Sequence, residues 1–254
     1  MKGLFTVDGN LMKIEMPKEI STAFIYACMK FGNHIPDANS LELIKESSEL
    51  ILASSEPHAV YKEFPIGIAE DCGDLYIGNP KNKLSGRAAA RHLEHCNNCV
   101  LVAVTLGPQI DKLIRRAQVT DMAKAVALDA CASSLIEDLC DQINQHLTEE
   151  YHQKDMELTT RFSPGYGDLP LEAQEIFSNL LEMEKKIGLT QSREHLLLPR
   201  KSITAIIGVL PLGEYKDSQR IMKSVKGDKP VACEICERKH HCQFRSNGGY
   251  CGIK

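Results

Sequence analysis

Apolar residues recur at helical spacing over several long stretches of this chain, and they alternate with polar residues over a few short ones. Residues 20–28 read as a short helix. Pro36 and then Asp37 to Ser40 give a helix-start signal, followed by Leu41, Ile44, Ile51 and Leu52 near helical spacing, with Pro57 ending the run. Residues 60–68, alternating around Pro65, and residues 75–77 predict strands. Residues 84–95 predict a helix, and 100–106 a short buried strand closed by Gly107-Pro108. From 109 to about 150 the pattern is helical throughout. Ile110, Leu113, Ile114 and Ala117 form one apolar stripe, and Thr120 is expected to cap the next helix ahead of Asp121. That second helix is rich in small residues (Ala123, Ala125, Ala127, Ala130, Ala132, Ser133, Ser134), which let another element approach closely. Residues 171–187 read as an amphipathic helix with Ile176, Leu180, Met183 and Ile187 inward and Gly188 as terminator. Strands are expected at 195–198 and 202–209, around Pro199. The sum is a mixed α+β protein with one main domain, divided as 1–35 (extension), 36–230 (main body) and 231–254 (cysteine-rich tail).

Composition narrows the classes. A chain of 254 residues can bury one substantial core, and 43% hydrophobic with 25% charged residues is ordinary for a soluble globular protein. A net charge of −4 argues against a dedicated nucleic-acid binder. Met1 to Asn10 carry no apolar run of signal-peptide length, and no stretch approaches the ~18 apolar residues that span a bilayer. Ten cysteines without an export signal point to a reducing, cytoplasmic setting, in which thiols or metal ligation are favoured over disulfides. No Ser-His-Asp pattern, Walker loop or dinucleotide fingerprint is found.

The segment Arg161-Phe162-Ser163-Pro164-Gly165-Tyr166-Gly167-Asp168-Leu169-Pro170 carries the candidate chemistry. Pro164 and Pro170 stiffen its ends, while Gly165 and Gly167 allow backbone angles closed to other residues. Such a loop brings backbone N–H and C=O groups close to a small ligand, with Arg161 and Tyr166 as polar anchors. The plain alternative is a helix-entry turn with an incidental arginine. Asp168, a nearby carboxylate, is expected to cap the following helix.

The loop resembles a known motif. Arg-x-x-x-Gly-Tyr-x-x-x-Pro, a helix after it and a Pro-x-x-Ser-bearing strand further on are similar to the activation domain of cobalamin-dependent methionine synthase. The upstream runs His92-Leu93-Glu94-His95-Cys96, Ala103-Val104-Thr105-Leu106-Gly107, Ile114-Arg115-Arg116 and Asp121-Met122-Ala123-Lys124-Ala125 resemble free-standing versions of that domain, which occur beside truncated methionine synthases. The resemblance covers about residues 36 to 210. It implies a mixed or antiparallel sheet with long helices, and S-adenosylmethionine bound by Arg161, Tyr166 and the backbone at Ser163 and Gly165. Glu137 on the long helix is the candidate partner for the donor's ammonium group, with Ser133 competing for that position. The resemblance further implies reductive reactivation of a corrinoid methyltransferase by methylation of cobalamin. The cobalamin would be supplied by the cobalamin-binding domain of a partner, and the electron by a flavodoxin- or ferredoxin-type donor. Methyltransferase-type activity is therefore expected only in complex with that partner. The rivals are a non-catalytic, metal-stabilised interaction module and a reactivator of another corrinoid protein of one-carbon metabolism.

Two histidine–cysteine segments raise metal ligation. His92 and His95 share a helix face and Cys96 and Cys99 follow, so a metal cluster competes there with a core role for Cys99. The tail places Cys233, Cys236 and Cys242 in Cys-x-x-Cys-x-x-x-x-x-Cys spacing, with His240 and His241 between and Cys251 behind. Four thiolates suit structural zinc or an iron–sulfur cluster. The spacing serves both, and only the electron that reactivation requires favours iron–sulfur. Free thiols in a disordered tail are the remaining alternative.

Overall fold

The computed structural model describes residues 11–12, 14–31, 34–69 and 74–213, together with short strands at 225–226 and 229–230. The elements in order are β1 (Leu11–Met12), α1 (Thr22–Cys28), α2 (Ala38–Ser54), β2 (His58–Ile68), β3 (Leu75–Ile77), β4 (Asn79–Leu84), α3 (Arg87–His92), β5 (Asn98–Thr105), α4 (Pro108–Thr120), α5 (Met122–His152) and β6 (Met156–Leu158). A 3-10 turn (Leu171–Ala173) then leads into α6 (Gln174–Leu181), α7 (Met183–Ile187), β7 (Thr190–Gln191), β8 (Leu197–Leu198), β9 (Ser202–Pro211), β10 (Val225–Lys226) and β11 (Lys229–Pro230). The architecture is mixed α+β with an antiparallel sheet and long helices. Among the described residues, no helix is long and apolar enough to cross a membrane.

Two compact units interleave along the sequence. The first is drawn from the described residues of 1–14, 57–105 and 142–216, the second from those of 15–56, 106–141 and 217–254. In the first unit the strand order is β4-β3-β2-β5-β9-β6, with β1 also on β2, and every pairing is antiparallel. Strand β5 sits at the centre. Val100, Leu101, Val102, Ala103 and Val104 are all buried, as expected of a strand covered on both faces. Its register with its neighbours, Ala103 opposite Val60, Leu101 opposite Ile206 and Cys99 opposite Gly208, defines one apolar face. Leu93, Leu169, Phe177, Leu181, Met183 and Ile187 complete the core on that face. The other face holds the last turns of α5: Tyr61 O–H donates to Glu150 (3.1 Å), and Tyr151 O–H donates to Glu63 (2.6 Å). Burial together with the Glu150 charge pushes the Tyr61 phenol up to about 12, so both remain donors at neutral pH.

The second unit packs α1, α2, α4 and residues 122–141 of α5. Small residues on α5 permit this closeness: Ala125, Ala127, Ala130, Cys131, Ala132 and Ser134 are buried. The Ser134 hydroxyl donates to Ser21 O (2.8 Å), and Ser21 N–H donates to Asp138 (3.0 Å), which fastens the start of α1. Asp37 caps α2 by accepting from Ser40 N–H (2.7 Å).

Several sequence expectations need correction. The expected helix at 84–95 is instead the end of β4 followed by the six-residue α3, because Gly86 turns the chain at φ 145° between them. Asp121, not Thr120, caps α5: its carboxylate accepts from Lys124 N–H (3.0 Å), while the Thr120 hydroxyl bonds back to Arg116 O. The helix expected at 171–187 breaks at Glu182, which is left-handed at φ 52°; Met183 and Ile187 are buried and Ile176 and Leu180 pack partly buried on the core, as expected, with Phe177 and Leu181 fully buried beside them.

Gly208 shows how tightly α3 meets the sheet. A Cβ there would run into Cys96 Sγ and lie 2.8 Å from Leu93 Cδ2 and 2.9 Å from Thr159 Cγ2. Gly208→Ala is expected to destabilise the protein by about 1–3 kcal/mol through overpacking. Thermal unfolding checks this, and an unchanged midpoint would mean that α3 yields at no cost.

Candidate functional site

The segment 159–170 lies in the sheet unit and is irregular but fully tied in. It begins on the sheet: Thr159 N–H donates to Gly208 O (3.0 Å), and Phe162 exchanges N–H···O bonds with Ile206 (2.9 and 2.8 Å). The chain then leaves the sheet in two successive turns. Tyr166 N–H donates to Ser163 O (3.1 Å), Leu169 N–H donates to Tyr166 O (3.0 Å), and Gly165 N–H crosses back to Leu169 O (2.8 Å). These turns need Gly165 at φ 90° and Gly167 at φ 54°, left-handed positions that only glycine takes cheaply. Pro164 and Leu169 are buried, and the rim between them is exposed.

Asp168 pins the loop from outside. Its two carboxylate oxygens accept from Arg87 N–H (2.8 Å) and Ala88 N–H (2.9 Å), the first amides of α3. Asp168 thus caps a helix some 80 residues earlier, not the helix that follows it, which corrects the sequence expectation. The Ala88 and Arg87 amides, with a contribution from the Arg91 charge, hold its carboxyl below the usual range. Contact is close on both sides. A Cβ on Gly167 would lie 2.8 Å from Ala88 Cβ, and one on Gly86 would lie 3.0 Å from Asp168 Oδ1.

Four of the five expected donor-binding residues share this loop. Arg161 is half-buried next to the Phe162 bridge, and Ser163 is half-buried at the first turn. Tyr166 stands on the rim with 59% of its surface exposed, its ring edge-on to Phe162 at 6.4 Å. The Gly165 N–H is used within the loop. Glu137 lies in the helical unit, half-buried on α5. Ser133, its competitor, spends its hydroxyl on Asp129 O (2.9 Å) inside the helix. Ser202, in the Pro199-x-x-Ser202 stretch, donates its hydroxyl to Pro199 O (2.7 Å) and lies 2.8 Å from the Thr105 hydroxyl, so it closes the start of β9.

The His92–Cys99 segment has a packing role. His92 Nε2 lies 2.7 Å from Thr160 O, and Cys99 is buried in the sheet core. Burial pushes the Cys96 thiol up to about 11 and raises Cys99 further. Among the described residues, no three His, Cys, Asp or Glu side chains converge as a metal site. Cys233, Cys236, Cys242 and Cys251 lie outside the described residues. Sequence reading missed His92, Thr159 and Asp168 as loop supports, because their partners are remote in sequence.

No protein-family model matches the chain, and no curated protein does. Among the solved structures that are similar is the crystal structure of the MetH reactivation domain bound to AdoHcy, at 16% identity and a TM-score of 0.53, covering 78% of this chain and 79% of that one. The chain has the fold of that domain. The likeness is one of fold, and it agrees with the mixed α+β architecture expected from the sequence.

Asp168→Ala is expected to cost about 1 kcal/mol, as for loss of a helix cap, and to speed amide exchange at Arg87 and Ala88, with Asp168→Asn recovering part of both. Site-resolved hydrogen exchange checks this. Unchanged exchange at those two amides would contradict the capping role.

Proposed function

We propose that this chain binds S-adenosylmethionine on the 161–169 loop and presents its methyl group to the corrinoid of a partner protein. The partner would be, most directly, a methionine synthase that lacks its own activation domain. One observation supports this above others: a rigidly tied loop carries Arg161 and an exposed Tyr166 in a chain with the fold of a domain solved with AdoHcy.

The assignments follow from chemistry. A planar guanidinium matches the donor's carboxylate with two parallel hydrogen bonds, which is the role of Arg161. Tyr166 supplies a hydroxyl and a ring face, and Ser163 and the Gly165 carbonyl read the adenine edge. No general base is needed, because no proton leaves the nucleophile. An electron from a flavodoxin- or ferredoxin-type donor reduces the partner's cobalt to Co(I). The Co(I) electron pair then takes the methyl group as the C–S bond breaks, with the bonding pair staying on sulfur to give S-adenosylhomocysteine. The protein's contribution is orientation, holding the sulfonium open to the partner. Cys233, Cys236, Cys242 and Cys251 would hold a metal in the tail. The four-thiol donor set fits zinc and an iron–sulfur cluster alike, and metal and absorbance analysis of an anaerobic preparation separates them. We place the protein in the cytoplasm on its cysteine usage.

Calorimetric titration of S-adenosylmethionine tests the site. Wild type is expected to bind, and Arg161→Ala to lose about 1.5–3 kcal/mol of affinity, the worth of a hydrogen bond to a charged group, with little change in melting temperature. A mutant that melts earlier but binds as wild type would make Arg161 a structural ion-pair partner and remove the proposed site.

A further inference from the structure

His92 has no place in the donor chemistry above, yet it touches the loop at both ends of the segment that carries Arg161. Its Nε2 lies 2.7 Å from Thr160 O, the carbonyl immediately before Arg161, and 3.0 Å from Thr159 Oγ1. A carbonyl can only accept, so Nε2 must carry the hydrogen. Thr159 is itself locked, with its Oγ1 accepting from Gly208 N–H (2.8 Å). On the other side the imidazole lies against the Phe162 ring at 5.3 Å, and Phe162 in turn holds Tyr166 edge-on. One side chain therefore reaches the two proposed anchors by separate routes, a hydrogen bond toward Arg161 and a ring contact toward Tyr166.

We infer that His92 is a positioning residue for the ligand loop, a neutral imidazole latch that sets Arg161 and Tyr166 and releases them when it is protonated. The inference rests on the donor-binding reading for its consequence, but not for the latch itself. The surroundings explain the release. The loop brings Thr159, Thr160 and Phe162 to the ring, with Arg161 as its nearest ionisable residue in sequence, and the uncharged Gly208 and Ile206 of β9 hold Thr159 and Phe162 in place behind it. Along the chain its ionisable neighbours are Arg91 on α3 and, just beyond the helix, the exposed Glu94 with His95 and Cys96. A protonated ring would thus stand half-buried against a carbonyl, a hydroxyl and a phenyl ring, and desolvation accordingly lowers its pKa, against a smaller opposing effect of the Thr160 bond. A loosened loop binds the proton more readily than the latched one. The latched state is therefore favoured above the ordinary imidazole pKa of about 6.5 and is lost as pH falls through the lowered value.

Two variants separate the routes. His92→Phe keeps a ring against Phe162 but removes the donor, whereas His92→Gln keeps a donor at similar reach. Hydrogen exchange at Gly165, Tyr166 and Leu169 is expected to quicken at least tenfold in His92→Phe, with α6 unchanged and His92→Gln close to wild type. S-adenosylmethionine affinity should fall at least fivefold in His92→Phe. It should also fall in wild type between pH 7.5 and 5.5, and hold steady in His92→Gln. Unchanged exchange at those three amides, or quickening spread evenly over the whole protein, would overturn the latch. If His92→Phe does not fold, a pH response shared by wild type and His92→Gln, in loop exchange or in affinity, would overturn it equally. Absence of ligand binding by wild type would sink the donor-binding reading, and the exchange comparison would still decide on His92.

Discussion

A loop that leaves a sheet must find partners for its backbone away from the ladder, and in this chain the decisive partner is the Asp168 carboxylate. By accepting from Arg87 and Ala88 it converts the open N-terminus of a six-residue helix into an anchor for a loop far away in sequence. The glycines follow from that closeness. Gly167 and Gly86 sit where a side chain would strike Ala88 or Asp168, and Gly208 sits where one would strike the far end of the same helical segment. Loop, α3 and β9 are thus fitted to one another. That mutual fit turns a run of proline, glycine and tyrosine into a surface of fixed shape.

A fixed shape matters because the proposed chemistry asks little else of the protein. Methyl transfer from a sulfonium to Co(I) moves no proton and needs no protein nucleophile, so rate comes from alignment. The internal use of the Gly165, Tyr166 and Leu169 amides accords with this role. They hold the loop rather than reach for a ligand, so the proposed recognition falls to the Arg161 and Tyr166 side chains. Cys96, Cys99 and Cys131 are packed thiols whose pKa burial raises, poor nucleophiles suited to filling space.

Periodicity revealed most of the architecture: the capped α2, the apolar β5, the stripe on α4, and the length and small residues of α5 were all legible. The failures have physical reasons. Strand β4 is Asn-Pro-Lys-Asn-Lys-Leu, nearly all of it outside the core, so it carries no apolar alternation to read. The break at Glu182 needs a left-handed non-glycine residue, a conformation that sequence rarely announces. Thr120 was the expected cap, and only geometry shows that its neighbour Asp121 takes the role. The candidate loop was legible from its own residues, but its supports were not. Nothing local ties Asp168 to Arg87 or His92 to Thr160, since those contacts exist only after the sheet has formed.

The central claim concerns methyl transfer, and the most direct measurement is methylation of a partner's cobalamin. S-adenosylmethionine labelled in its methyl group would be incubated anaerobically, under reducing conditions, with this protein and the cobalamin-binding domain of a methionine synthase. The account predicts label on the corrinoid and release of S-adenosylhomocysteine, both requiring this chain and both lost with Arg161→Ala. Label that reaches the corrinoid equally well without this chain, or a chain that binds S-adenosylmethionine and leaves the reduced corrinoid unlabelled, would contradict it.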